Sequence, residues 1–161
     1  MPARPRSARY PRSAVSTLDS HLGFWLRFVS NHVSARFAAL VAAEGASVTE
    51  WVALRTLYDR PQTTHAELIQ ALGMTKGAAS KVITRLEEKG LARRELAEGS
   101  GREQVLQLSA RGRALVPRLA ALADQNEVHF FGHLPARERQ ALMQGFQALA
   151  AHHGLSEVPV D

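Results

Sequence analysis

Two helix-start signals with a glycine between them constrain this chain more than any other feature. Thr64-His65-Ala66-Glu67 has the form of a capping box, in which the threonine hydroxyl takes the third amide of a helix and the glutamate reaches back to the cap residue. The helix it opens carries Leu68, Ile69 and Leu72 inward. Gly73 is placed to end it, because glycine enters the left-handed backbone conformation that a tight exit between two helices requires. Thr75 then caps a second helix. Beyond Gly90, the alternation in Leu91 to Leu96 and in Val105 to Leu108 predicts two short strands around a polar loop, Glu98 to Glu103. Helix, turn, helix and a two-stranded wing together make a winged helix-turn-helix, an arrangement suited to double-stranded DNA.

The second helix carries the strongest periodicity. Ala79, Val82, Ile83 and Leu86 recur at the spacing of one buried stripe, which leaves Lys76, Gly77, Ser80, Lys81, Thr84 and Arg85 on the other face. Small residues allow close approach, hydroxyls bond phosphates or base edges, and cations neutralise phosphate charge. An ordinary solvated helix would mix Glu with its Lys. Here Glu87 and Glu88 appear only after the outward cationic positions have passed. Thr75, Lys76, Ser80, Lys81, Thr84 and Arg85 are therefore the candidate DNA contacts, joined by Arg102, the one cation at the tip of the wing, as a minor-groove probe.

Charge supports this placement only after subtraction. The formal net charge of +5 is inflated by Arg4, Arg6, Arg9 and Arg12, in a Pro-, Arg- and Ser-rich stretch too polar to pack. Between Met74 and Arg113, however, nine cations face five acids. The chain has no cysteine, which excludes disulfides, thiolate metal sites and thiol-based redox sensing. Without an apolar run of about 18 residues or a secretory core, it reads as a cytoplasmic protein with no membrane partner. It also lacks a glycine-rich phosphate loop, a nucleophile elbow or a suggestively spaced carboxylate pair, so it does not read as an enzyme.

The expected fold class is mainly α with a small β-wing. Residues 1–16 form a basic tail and 17–46 an N-terminal dimerisation helix, with Leu22, Trp25, Leu26, Val29, Val33 and Phe37 on a broad stripe. The winged helix occupies 47–109, opened by a second capping box, Ser47-Val48-Thr49-Glu50, and a short helix ending before Pro61. Residues 110–154 form two C-terminal helices, from about Ala110 to His133 and from about Pro135 to His153, and 155–161 a tail. Pro117 should kink or break the first, whereas Pro135 suits the first turn of the second. Leu115, Leu119 and Leu122, with Leu142, Phe146 and Leu149, present more apolar surface than a small reading head covers. A homodimer would bury it and place two reading helices on half-sites about 10 base pairs apart.

The run LIQALGMTKGAASKVITRLEEKGLARREL, followed by a wing, VLQLSARGRALVPRLAALAD and FFGHLPARERQALMQGFQALA, resembles the MarR family of bacterial transcription regulators from roughly Leu18 to His153. The resemblance implies a triangular homodimer with interlocked terminal helices, which represses a neighbouring gene from a pseudo-palindromic operator and releases it on binding a small aromatic or phenolic anion. It places the candidate DNA contacts on the family's recognition helix and Arg102 on the second arginine of its Asp-Arg-Arg wing motif. This chain has Ser100 and Gly101 at the first two positions of that motif.

The resemblance also places an effector pocket between the long N-terminal helix, the second helix and the reading head. His21, Trp25, Trp51 and Arg55 are the candidates there, as imidazole or guanidinium holds a carboxylate and indoles stack on an aromatic body. Tryptophans on apolar stripes equally serve as plain core. His129 and His133, one turn apart, and His152-His153 suggest zinc, but four close ligands are not in view and no metal or other cofactor is expected. The rival function is a winged-helix module that binds a protein partner and has no DNA site of its own.

Overall fold

The computed structural model describes residues 15–97, 99 and 104–155. It divides between His32 and Val33 into two units, each described separately. The described residues of the first unit form a 3-10 turn, Leu18–Ser20, and the opening of α1 (Leu22–Ala43). Here Phe24 stacks on Phe28 at 6.1 Å, Trp25 meets both rings edge-on, and His32 meets Phe28 edge-on at 4.8 Å. Leu22, Trp25, Leu26, Phe28 and Val29 are all exposed.

The second unit continues through α2 (Val48–Asp59), β1 (Thr63–Thr64), α3 (His65–Leu72), α4 (Lys76–Glu88), β2 (Ala92–Leu96), β3 (Gln104–Leu108), α5 (Ala110–Phe131) and α6 (Ala136–His152). Both expected capping boxes form in full. Ser47 Oγ accepts from the Glu50 amide at 3.1 Å while Glu50 accepts from the Ser47 amide at 2.8 Å, and Thr64 and Glu67 repeat the exchange. Gly73 ends α3 at φ 60°, in the left-handed region, as the tight turn demands.

The sheet has one more strand than expected. β1 pairs antiparallel with β3 (Thr63 opposite Leu106), and β3 pairs on its other side with β2 (Arg94 opposite Leu106), giving the order β1-β3-β2. Two residues carry no alternation, so the sequence could not announce β1. The central position of β3 also explains why Val105 and Leu106, adjacent in sequence, are both buried.

Beneath the sheet, Leu54, Leu57, Leu68, Ile83, Leu86 and Leu119 are almost completely enclosed, and each contributes about 1.5–3 kcal/mol of burial. Leu119 belongs to this core, with Leu115 and Leu122 packed against it, so the α5 leucines are largely covered within the chain rather than left for a partner. Leu142, Phe146 and Leu149 of α6 do remain about half exposed, and α6 buries no residue.

The structure bears on both proline expectations. α5 runs unbroken through Pro117, because Val116 and Leu119 on either side are locked in the core and compensate for the missing amide donor. Pro135 is the cap residue of α6, with ψ 148°, rather than part of its first turn. Among the described residues no single helix is long and apolar enough to cross a membrane.

The exit from α4 is fixed from three directions. The Gly90 amide bonds Glu87 O and the Leu91 amide bonds Leu86 O, each at 2.8 Å, with Gly90 at φ 64°; this is a Schellman ending. The next three carbonyls are all taken by the start of α5: Arg111 Nη1 donates to Lys89 O at 3.1 Å, Ser109 Oγ to Gly90 O at 2.7 Å and the Ser109 amide to Leu91 O at 3.0 Å. Gly112 lies so close that an added Cβ would sit 2.0 Å from Leu91 O.

Gly112→Ala is accordingly expected to lower stability by about 3 kcal/mol, the upper range for overpacking, because the obstacle is backbone and cannot rotate away. Urea unfolding at one fixed protein concentration measures it. At α3, two hydrogen bonds from Thr64, backbone first, hold the Glu67 carboxyl below its usual range. Its stabilising effect is therefore present above the unfolded carboxylate pKa and is lost as pH falls through the lower folded value. Glu67→Gln should lower Tm at neutral pH, and the gap from the parent should shrink on acidification.

Candidate nucleic-acid interface

α4 buries Ala79, Val82, Ile83 and Leu86, the four residues its periodicity selects. The opposite face therefore presents Lys76, Gly77, Lys81, Thr84 and Arg85 to solvent, with Ser80 half-buried. Thr75 caps the helix, accepting from the Ala78 amide at 3.3 Å. Ser80, Lys81, Thr84, Arg85 and Glu88 line a shallow groove of about 320 Å³ along this face.

The hydroxyls are partly committed. Ser80 Oγ donates to Lys76 O at 2.8 Å and Thr84 Oγ1 to Ser80 O at 3.0 Å, so in the free protein both groups present acceptor lone pairs outward. His65, at the start of α3, reaches across to Ser80 Oγ with its Nε2 at 3.3 Å. Since the hydroxyl proton is already spent on Lys76 O, the imidazole is the donor in that contact. His65 was visible in the sequence only as a member of a capping box, and its tie between the two helices had no local signal.

The cations separate into two groups. Among the described residues Lys76, Lys81 and Arg85 have no carboxylate partner, whereas Arg93 pairs with Glu95, Arg94 with Glu87 and Lys89 with Glu50. Arg113 lies over the Tyr58 ring at 5.5 Å. The basic excess counted from Met74 to Arg113 thus overstates the patch: part of it is neutralised locally, and what stays open is concentrated on α4. Arg102 and most of the wing loop lie outside the described residues.

Lys89 has a different task. Its Nζ donates to both oxygens of Glu50, each at 2.8 Å, and to Gly45 O at 2.9 Å. Glu50 is only 2% exposed and already serves its capping box, so Lys89 supplies the charge that a buried carboxylate needs. The sequence showed Glu50 as a cap and Lys89 as one more surface cation; the bond between them spans 39 positions and was not legible.

The four candidate effector residues are already engaged. In the first unit His21 Nδ1 lies 3.0 Å from Thr17 O and Trp25 Nε1 donates to Asp19 O at 2.8 Å. In the second, Trp51 packs against the core edge-on to Phe37 at 6.4 Å, while Arg55, one turn later on α2, pairs with Asp59 and lies 5.9 Å over Tyr58. The hydrogen bond to Asp59 raises the Arg55 pKa further above its ordinary value, so that side chain stays cationic. No group of three or more His, Asp or Glu side chains among the described residues is placed to hold a metal.

Comparison with known proteins gives the same assignment. The model of the MarR family matches residues 44–103, which span the second helix, the reading helix and most of the wing. The HTH-type transcriptional repressor Rv2887 of Mycobacterium tuberculosis is 29% identical over 133 residues, 83% of this chain and 96% of its own length. Its crystal structure in complex with DNA superposes with a TM-score of 0.68 at 27% identity, covering 80% of this chain and 97% of that one. Its complex with salicylic acid gives 0.64 at 29% identity, over 80% and 96%. A protein of Pseudomonas aeruginosa described as a probable transcriptional regulator gives 0.72 at 27% identity, covering 83% and 99%. The buried stripe of α4 and its open cationic face thus lie in the segment, residues 44–103, that matches the MarR family, and over most of its length the chain is similar to these regulators.

Proposed function

We propose that this chain is a transcriptional repressor that binds a pseudo-palindromic operator as a homodimer and is released by a small aromatic acid. The observation that carries the DNA reading is the outer face of α4, where Lys76, Lys81 and Arg85 stand beside Ser80 and Thr84 and, among the described residues, pair with no carboxylate. Cations kept unpaired in a folded protein are matched to charge from outside it, and hydroxyls between them suit phosphate oxygens and base edges. Thr75 adds a contact at the helix start, and Arg102 adds one from the wing. In this reading residues 47–109 hold the DNA while 17–46 and 110–154 pair the two copies. The exposed stripe of α6, Leu142, Phe146 and Leu149, supports that division.

Release by a ligand is supported by Rv2887, whose structures include both a DNA complex and a salicylic acid complex. Trp51 and Arg55 are the residues on α2 suited to the task. The Arg55–Asp59 pair is exposed, so exchanging Asp59 for a ligand carboxylate costs about 1 kcal/mol or less. His21 and Trp25 are the residues of the first unit proposed for the same chemistry.

Lys81→Ala and Arg85→Ala should each weaken binding to the intergenic DNA beside the chain's own gene by about tenfold. Each should also lower the slope of log affinity against log salt by about 1. Fluorescence anisotropy across a salt series measures both. A protein-binding module with no operator would show weak, salt-insensitive change in either variant. Salicylate is expected to weaken the DNA complex and to alter tryptophan emission over the same concentration range. An emission spectrum unchanged at saturation would remove Trp25 and Trp51 from the effector site.

A further inference from the structure

A second cleft, of about 600 Å³, lies beside the Lys89 junction, between the end of α1, the end of α4 and the first two turns of α5. That volume is in the range of small-molecule sites. Leu91, Ala114 and Leu115 give it aliphatic lining, and three cations border it: Lys89 paired with Glu50, Arg118 paired with Glu44, and Arg111, which has no carboxylate partner among the described residues. It contains no aromatic side chain, unlike the region around Trp51. Each of the two guanidiniums has one bond: Arg111 to Lys89 O and Arg118 to Glu44. Among the described residues the rest of each donor fork is without a protein partner, and a guanidinium fork matches a carboxylate in two-point geometry.

We infer that this cleft binds a small carboxylate with an aliphatic body, at a site separate from the one proposed for aromatic acids. The head group is held by Arg111 and Arg118 and the hydrocarbon lies along Leu91, Ala114 and Leu115. Glu44 and Glu88 also line the cleft and set the limit on charge: a monoanion is accommodated, while a multiply charged ligand meets two carboxylates.

Binding there reaches the reading helix directly. Lys89, which lines the cleft, closes α4, its ammonium is held by Glu50 and Gly45 O, and its carbonyl accepts from Arg111. A ligand carboxylate on Arg111 competes with Lys89 O for that guanidinium and so loosens the α4 exit from the start of α5. By linkage, DNA then weakens the carboxylate by the factor through which the carboxylate weakens DNA.

The test titrates the 15N-labelled full chain with sodium octanoate, against sodium chloride at equal ionic strength. Saturable amide shifts centred on Gly45, Lys89 to Leu91 and Ala114 are expected, together with at least fivefold weaker DNA binding. In the Arg111→Gln/Arg118→Gln variant the octanoate affinity should fall at least tenfold, with the dispersed spectrum itself reporting that the variant is folded. Shifts that are absent, that spread over α6 or Trp51 instead, or that survive in the variant overturn the site. Because octanoate binding is read without DNA, a failed operator would not imitate a failed cleft.

Discussion

The reading helix depends on a carboxylate that has no access to water. Glu50 caps α2, yet it is buried, and a buried anion is tolerated only with a cation and full hydrogen bonding around it. Lys89 supplies the cation from the far end of α4, and in doing so also takes the carbonyl that closes α1, Gly45 O. Three helix ends are therefore held by one ammonium. Around the same point the carbonyls of Lys89, Gly90 and Leu91 are all satisfied from the first residues of α5. The position of α4 relative to α1, α2 and α5 is settled here, by polar groups that would each be costly to leave unpaired.

This arrangement separates the two ends of α4 by function. Its first three turns carry the open cations and hydroxyls and make no ion pair with any other described residue. Its final turn is bound on several sides. A helix held in this way can present a long outward face in a defined orientation without spending that face on its own support. The buried stripe does the remainder, since Ala79 at 0% exposure brings the helix axis close to the core while Ile83 and Leu86 fill the space beside it. His65 contributes at the other end, where its bond to Ser80 fixes α3 against α4 from the exposed side.

What the sequence made legible follows from how far apart the interacting residues are. Capping boxes at Ser47 and Thr64, the cap at Thr75 and the αL glycine at Gly73 involve partners within a few positions, and all four formed as expected. The α4 stripe was legible for a related reason: a strong 3.6-residue period has one solution. The missed features are long-range or too short to have a period. β1 has two residues, Lys89 and Glu50 are far apart in sequence, and the clearance at Gly112 depends on where Leu91 arrives. Leu119 failed differently, because the α5 leucines were read without knowing that α2 packs against α5. For the interface, periodicity told the buried face of α4 from the exposed one, but charge counting could not see that Arg93 and Arg94 are neutralised at home.

α6 then bears on assembly. It is a 17-residue helix with no buried residue, and a helix of that length in water is marginal when nothing packs against its apolar face. Leu142, Phe146 and Leu149 lie at the spacing of one stripe and are about half exposed, alongside Leu134 in an open groove of about 490 Å³. Among the described residues of a single copy that stripe has no cover, and the proposed dimer would supply it. The consequence reaches the DNA. If two reading helices are set one helical turn of duplex apart, about 34 Å, then the spacing between them is fixed by the helices that join the copies and their tilt by the junction at Lys89. Small changes at that junction are therefore felt twice, once in each half-site, and a modest displacement of α4 is enough to cost much of the affinity that paired binding provides.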